Sequence, residues 1–195
     1  MVDNLENIKY LLTFDTEDDF YFLQILQRKK DNPGIGSNSK VIKNYYIDSI
    51  EYLENKYDEI KQLCNIFNAR ASLRLNKRSY EKVAFKSIEN MANHLRSRDY
   101  KYIAYSYDKA CGQLCNKKDK KWLIDFDFEV KSEDLEKYIN IIDQIDPIRE
   151  KKYIATIPSK NGFHLITKPF NMEMFKIHFP SLDVHKDNPV NLYIP

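Results

Sequence analysis

The chain has 195 residues, of which 43% are hydrophobic and 13% aromatic; this is enough apolar material to bury a core as one domain or two closely packed subdomains, and too much for a disordered tail. Its 31 Lys and Arg against 29 acidic residues leave a formal charge of +2, which excludes a global basic field for nucleic acid and makes any basic surface a local one. No run of about 18 apolar residues occurs, and the N-terminus MVDNLENIKY lacks the charged-then-apolar order of a signal peptide. A cytoplasmic protein with no membrane partner is expected, and the Lys-, Asn-, Ile- and Tyr-rich usage is that of an AT-rich coding genome such as a bacterium's, a phage's or a plasmid's. Three cysteines, Cys64, Cys111 and Cys115, are an odd number in a chain that needs no staples, so reduced thiols are expected. Cys111 and Cys115 form a lone CxxxC without a second pair; packing is favoured over a zinc site.

In chain order, Leu5, Ile8, Leu11 and Leu12 mark a short amphipathic helix, and DFYFLQILQRKK reads as a strand running into a basic end at Arg28, Lys29 and Lys30. DNPGIGSNS is a loop, because its Gly34 and Gly36 lack the third glycine and the strand-to-helix setting of a dinucleotide site. From Asn44 to Phe67, the spacing of Tyr46, Ile50, Leu53, Tyr57, Ile60, Cys64 and Phe67 predicts one long amphipathic helix. Next, NARASLRLNKRS alternates, with Arg70, Ser72, Arg74 and Asn76 on one face of a strand and Ala71, Leu73 and Leu75 on the other. Ser79 is a candidate cap for a helix whose apolar face is Ala84, Ile88, Met91, Ala92 and Leu95. Residues 96–121 are rich in tyrosine and lysine and helical in part.

The second half has a clearer rhythm. WLIDFDFEV, residues 122–130, reads as a strand with Trp122, Ile124, Phe126, Phe128 and Val130 on a core face and Asp125, Asp127 and Glu129 on the other. Clustered carboxylates repel unless a cation sits among them or water covers them, so the trio is either a metal site or a solvated face. A helix over about Glu133 to Ile145 follows, then KKYIATIP and GFHLITKP as neighbouring strands, a short helix around Asn171 to Ile177, and SLDVH as a strand. The order is β-α-β-β-α-β, an RRM-like split unit.

Three patterns then fall in sequence: the acidic strand IDFDFE, the stretch SKNGFH with Ser159, Gly162 and His164, and an apolar residue followed by Asp183 in SLDVHKDN. Together they resemble the catalytic core of the archaeo-eukaryotic primase superfamily, closely over 122–187 and in outline over the N-terminal half. The resemblance implies an α+β fold, with an N-terminal α/β subdomain over 1–121 and an RRM-like catalytic subdomain over 122–195 in one compact catalytic domain that makes up the whole chain. It implies a DNA primase or primase-polymerase that adds (d)NTPs to a strand by two-metal catalysis. Asp125, Asp127 and Asp183 would hold two Mg²⁺ or Mn²⁺ ions, hard cations that prefer carboxylate oxygen, with Glu129 further out or exposed. Ser159 and His164 would contact nucleotide phosphates, with Gly162 forming a tight turn and Lys160 as a further phosphate partner.

Arg70, Arg74, Lys77 and Arg78 form the best local basic patch, either a phosphate contact or a solvated face. If the former, the polar faces of strands 69–76 and 122–130 are expected to look into one cleft. The expected partners are nucleoside triphosphates, a single-stranded or primed DNA template, and a replicative helicase on a separate chain. The rival readings are a catalytically inactive protein of the same fold that binds nucleic acid or regulates, and a metal-dependent nuclease.

Overall fold

The computed structural model describes residues 1–36, 38–128, 130–148 and 150–195. A short strand β1 (Val2–Asp3) leads into helix α1 (Leu5–Lys9), whose Ile8 is buried. Strand β2 (Asp19–Gln27) buries Tyr21, Leu23 and Ile25 on one face and Phe20 and Phe22 on the other, so both faces must be covered. Strand β3 (Lys40–Ile47) pairs antiparallel with β2, which corrects the long helix read from Asn44. The β-branched and aromatic side chains of KVIKNYYI favour a strand, and the helix α2 (Ile50–Phe67) begins only behind Ser49, whose hydroxyl accepts the Tyr52 amide at 3.1 Å. Leu53, Tyr57, Ile60 and Cys64 are buried as the stripe requires, but Tyr46 belongs to β3 and Phe67 is exposed beside the left-handed Asn68 (φ 44°) that ends the helix.

Strand β4 (Arg70–Arg74) buries Ala71 and Leu73 against the α2 side of the sheet. After β5 (Arg78–Ser79), Ser79 caps helix α3 (Tyr80–Arg96) by accepting the Lys82 amide at 3.1 Å. The apolar face read for this helix is not its buried face: Ile88 and Leu95 are 62% and 54% exposed, Ala84 and Ala92 are exposed, and Val83, Ser87 and Asn90 are buried instead. A 3-10 segment (Tyr100–Tyr105) and helix α4 (Ser106–Gln113) pack on that small polar side. There the Asn90 amide donates to the Ser106 carbonyl at 3.3 Å and to Gln113 Oε1 at 3.0 Å. Satisfied buried hydrogen bonds outweigh apolar periodicity at this position. Beneath lie Phe20, Phe22, Val83, Ala110 and Cys111, and burial pushes the Cys111 thiol up to about 12.

The second half runs β6 (Trp122–Phe126), α5 (Ser132–Gln144), β7 (Tyr153–Pro158), β8 (Phe163–Thr167), α6 (Met172–His178), β9 (Asp183–His185) and β10 (Pro189–Ile194). The order from β6 to β9 is the β-α-β-β-α-β expected. The fold is α+β with two antiparallel sheets, β1-β10-β4-β2-β3 with β5 on β2, and β7-β8-β6-β9. Strand β6 is shorter than read. It ends at Phe126, so Asp127 and Phe128 lie past its end, Phe128 is 47% exposed rather than part of the core, and Glu129 falls outside the described residues.

Trp122, Ile124 and Phe126 pack with α5 and α6 through Ile142 and Phe175, and Phe126 stacks on the opposing Phe163 with centroids 4.7 Å apart. Leu123, Ile157 and Ile166, on the other face, join the core of the first sheet. The chain then recrosses the expected division at 121/122, because β10 inserts between β1 and β4. Asp187, in the turn before β10, accepts from Asn76 at 3.0 Å and from Arg74 and Arg78, tying that turn to the first sheet. Among the described residues no helix is long and apolar enough to cross a membrane.

Candidate active site

Antiparallel register assembles the centre of the site. On β6, Asp125 stands directly opposite His164 of β8 on one side and Asp183 of β9 on the other. Directly opposed residues share a face with Cβ atoms about 5 Å apart. Asp125 and His164 open into a cavity of about 620 Å³, which Asp127, Ser159, Lys160, Arg70 and Ser72 also line. The expectation that β4 and β6 look into one cleft therefore holds for Arg70 and Ser72. Arg74, near the other end of β4, instead donates to Asp187.

Three side-chain atoms at this cavity are buried without a hydrogen-bond partner among the described residues: Asp125 Oδ1, Ser159 Oγ and His164 Nδ1. His164 Nε2 lies 3.4 Å from Asp125 Oδ1 without forming a hydrogen bond. Burial is the largest influence on both groups, raising the Asp125 pKa and lowering that of His164. The nearby Asp127 and Asp183 charges push Asp125 further the same way, while His164 and His185 oppose it.

The basic wall comes mainly from the first sheet. Arg70 Nε and Nη2 donate to the two oxygens of Asp31 at 2.8 and 2.7 Å, and Lys160 Nζ reaches Asp31 Oδ1 at 3.0 Å from the β7–β8 turn. Asp31 thus joins the two halves of the cavity, and these bonds, Arg70's first, hold its carboxyl at about 2. Arg28 and Lys30 line the same region. The other cations of the predicted basic patch are engaged elsewhere: Lys77 pairs with Asp15 and Asp19, while Arg78, 1% exposed, donates to Asp187 and the Cys111 carbonyl.

Gly162 has a backbone reason for its identity. A Cβ there would meet the Phe126 carbonyl oxygen at 2.0 Å and the Phe128 amide nitrogen at 3.1 Å, so only glycine lets the β7–β8 turn close against the end of β6. The Ser159 amide donates to the Gly162 carbonyl at 2.9 Å and closes the turn, setting Ser159 and Lys160 at the cavity.

A divalent ion finds part of its coordination here. Asp125 and Asp127 supply hard oxygen, and Mg²⁺ is commonly held by one or two carboxylates with phosphate and water completing the shell. Asp183 is 77% exposed, with its carboxylate 3.9 Å from Lys176 Nζ. No three His, Cys, Asp or Glu among the described residues close into a protein-only cage. The residues fit an ion completed by substrate oxygens.

The sequence reading did not single out Asp31, His185, Asn161 and Asn188, all of which line the cavity. His185 had a signal, two residues beyond Asp183 on the same strand; Asp31 had none, since it sits in a loop and its partners are 39 and 129 residues away. Comparison with protein-family models, with curated proteins and with solved structures finds no match in any of the three.

Proposed function

We propose that this chain is a small template-dependent nucleotidyltransferase of the archaeo-eukaryotic primase kind, extending a nucleic-acid strand with (d)NTPs. The observation that carries this reading is the convergence on one cavity of the Asp125–Asp127 pair with Ser159, Lys160 and His164, three of whose buried polar atoms lack a partner. Each such atom costs about 1–3 kcal/mol if left unsatisfied, so the arrangement suits a polar ligand that completes it.

In this reading Asp125 and Asp127 hold Mg²⁺ or Mn²⁺, with Asp183 alongside. Bound ions would favour the ionised 3′-hydroxyl and carry charge on the departing pyrophosphate. Ser159 donates its hydroxyl to a phosphate oxygen. His164, kept neutral by burial, has one ring nitrogen that donates and one that accepts, so it binds phosphate without adding a positive charge beside the carboxylates. Lys160 exchanges Asp31 for the triphosphate, and Asp31 keeps the Arg70 guanidinium in place. The triphosphate side separates this reading from a nuclease, which needs the carboxylates alone.

Soaking a crystal of the protein with Mn²⁺ and a non-hydrolysable deoxynucleoside triphosphate tests the assignment. Phosphates are expected on Ser159, Lys160 and His164, with metal on Asp125 and Asp127; a nucleotide bound away from this cavity would refute it.

A further inference from the structure

The chain's charge is unevenly spread. Residues 96–121 hold eight Lys and Arg against three Asp, a net of +5 in a protein whose total is +2. Within this stretch the 3-10 segment and the end of α3 present Tyr100, Tyr102 and Tyr105 at 61%, 45% and 63% exposure, although tyrosines of a folded domain normally bury most of their rings.

We propose that the surface from Arg96 to Lys109 binds single-stranded nucleic acid, with Tyr100, Tyr102 and Tyr105 stacking on bases and Arg96, Arg98, Lys101 and Lys109 neutralising phosphates. Aromatic platforms interleaved with cations are the chemistry that single strands require, since every base has a face to stack and every nucleotide a charge.

Three observations support it. In a 3-10 helix residues three apart eclipse, so Tyr102 and Tyr105 stand on one edge about 6 Å apart along the axis. The patch is also continuous: Lys101 Nζ lies 4.9 Å over the Tyr102 ring, the His94 ring is 5.7 Å from that ring on its own side, and Lys109 Nζ is 3.4 Å from His94 Nε2. Finally, this unit shares a sheet face with the cavity. Phe20 and Phe22 under α3 and α4 alternate along β2 with inward residues, as does Leu26 at the cavity. Between them Gln24 donates to Asn44 Oδ1 at 3.1 Å and pairs with Ser72 in register. The inference gives the strand of the proposed nucleotidyltransferase a contact surface, and in that sense rests on that reading, but it is tested without nucleotide or metal.

The test is fluorescence anisotropy of a labelled oligo(dT), with oligo(rU) and a duplex as comparisons. The variants are Tyr100→Ala/Tyr102→Ala/Tyr105→Ala, the matching triple Phe, and Arg98→Ala/Lys101→Ala. Each lost ring is expected to weaken binding about five- to a hundredfold, with the Phe variant close to wild type because the stacking face remains. The Arg98/Lys101 variant should lower the slope of log K against log salt by about two. Single strands of either sugar should bind more tightly than duplex. Circular dichroism confirms that each variant is folded, which is expected because all five side chains lie at the surface. Unchanged oligo(dT) affinity in the folded triple Ala variant would overturn the proposal and leave the tyrosines to a protein partner; equal affinity for duplex would overturn the stacking. Asp125→Asn should bind oligo(dT) like wild type. If it does, and no strand is ever extended, the binding surface stands and the nucleotidyltransferase reading fails.

Discussion

Asp125 and His164 face each other across the β6–β8 ladder, with Nε2 3.4 Å from Oδ1, and each keeps a buried atom without a hydrogen-bond partner. Burial raises the pKa of the first and lowers that of the second, so both are pushed towards their neutral forms and the contact is a weak ion pair. Such a pair is poorly explained as structural glue. It suits a site whose carboxylate awaits a cation and whose imidazole awaits a phosphate.

Asp125→Asn keeps the shape and removes the charge. Strand extension should vanish, while the melting temperature should equal or exceed that of the wild type, because a half-buried carboxylate beside Asp127 and Asp183 is relieved. A clear fall in melting temperature would assign Asp125 a structural role.

His164→Ala removes a phosphate donor rather than a metal ligand. Transfer should slow by about two to three orders of magnitude, as when one preorganised donor is lost, and calorimetric Mn²⁺ binding should persist. Loss of Mn²⁺ binding would make His164 a ligand and change the chemistry.

What the sequence made legible was whatever depends on local period. Alternation in β2, β4 and β6 and the rhythm of the second half read correctly, and the acidic strand and the Ser159–His164 turn meet at one cavity. Long-range partnerships stayed hidden. Lys40–Ile47 is a strand because β2 is beside it, and its aromatic spacing imitates a helix. The outward face of α3 follows from hydrogen bonds of Asn90 to a segment 16 to 23 residues on. Arg74 and Arg78 looked like free cations, but Asp187, more than 100 residues away, accepts from both.

Acid should weaken the Asp31 bridge in a defined window. Its carboxyl is held at about 2 against an ordinary 3.8, chiefly by Arg70 and then Lys160. A depressed carboxylate pKa contributes stability that is fully present above the ordinary value and lost as pH falls through the folded one. The stability difference between wild type and Asp31→Asn should therefore be constant above about pH 5 and shrink as pH falls towards 2. Urea unfolding across that range measures it; a pH-independent difference would contradict the bridge.

Gly162→Ala forces a Cβ to 2.0 Å from the Phe126 carbonyl oxygen. A loss of about 1–3 kcal/mol or more is expected from the displaced turn, with weaker nucleotide binding as Ser159 and Lys160 move. Gly34→Ala, which meets nothing within 4 Å, should change stability by no more than about 0.5 kcal/mol. Equal effects in chemical denaturation would show that the turn does not need its glycine.

The central claim is nucleotidyl transfer at Asp125 and Asp127. A 5′-labelled primer annealed to a longer template, incubated with the protein, (d)NTPs and Mn²⁺ and resolved on a denaturing gel, tests it most directly. The account predicts template-directed lengthening of the label, abolished in Asp125→Asn and Asp127→Asn; shortening of the label, or lengthening that survives both substitutions, would contradict it.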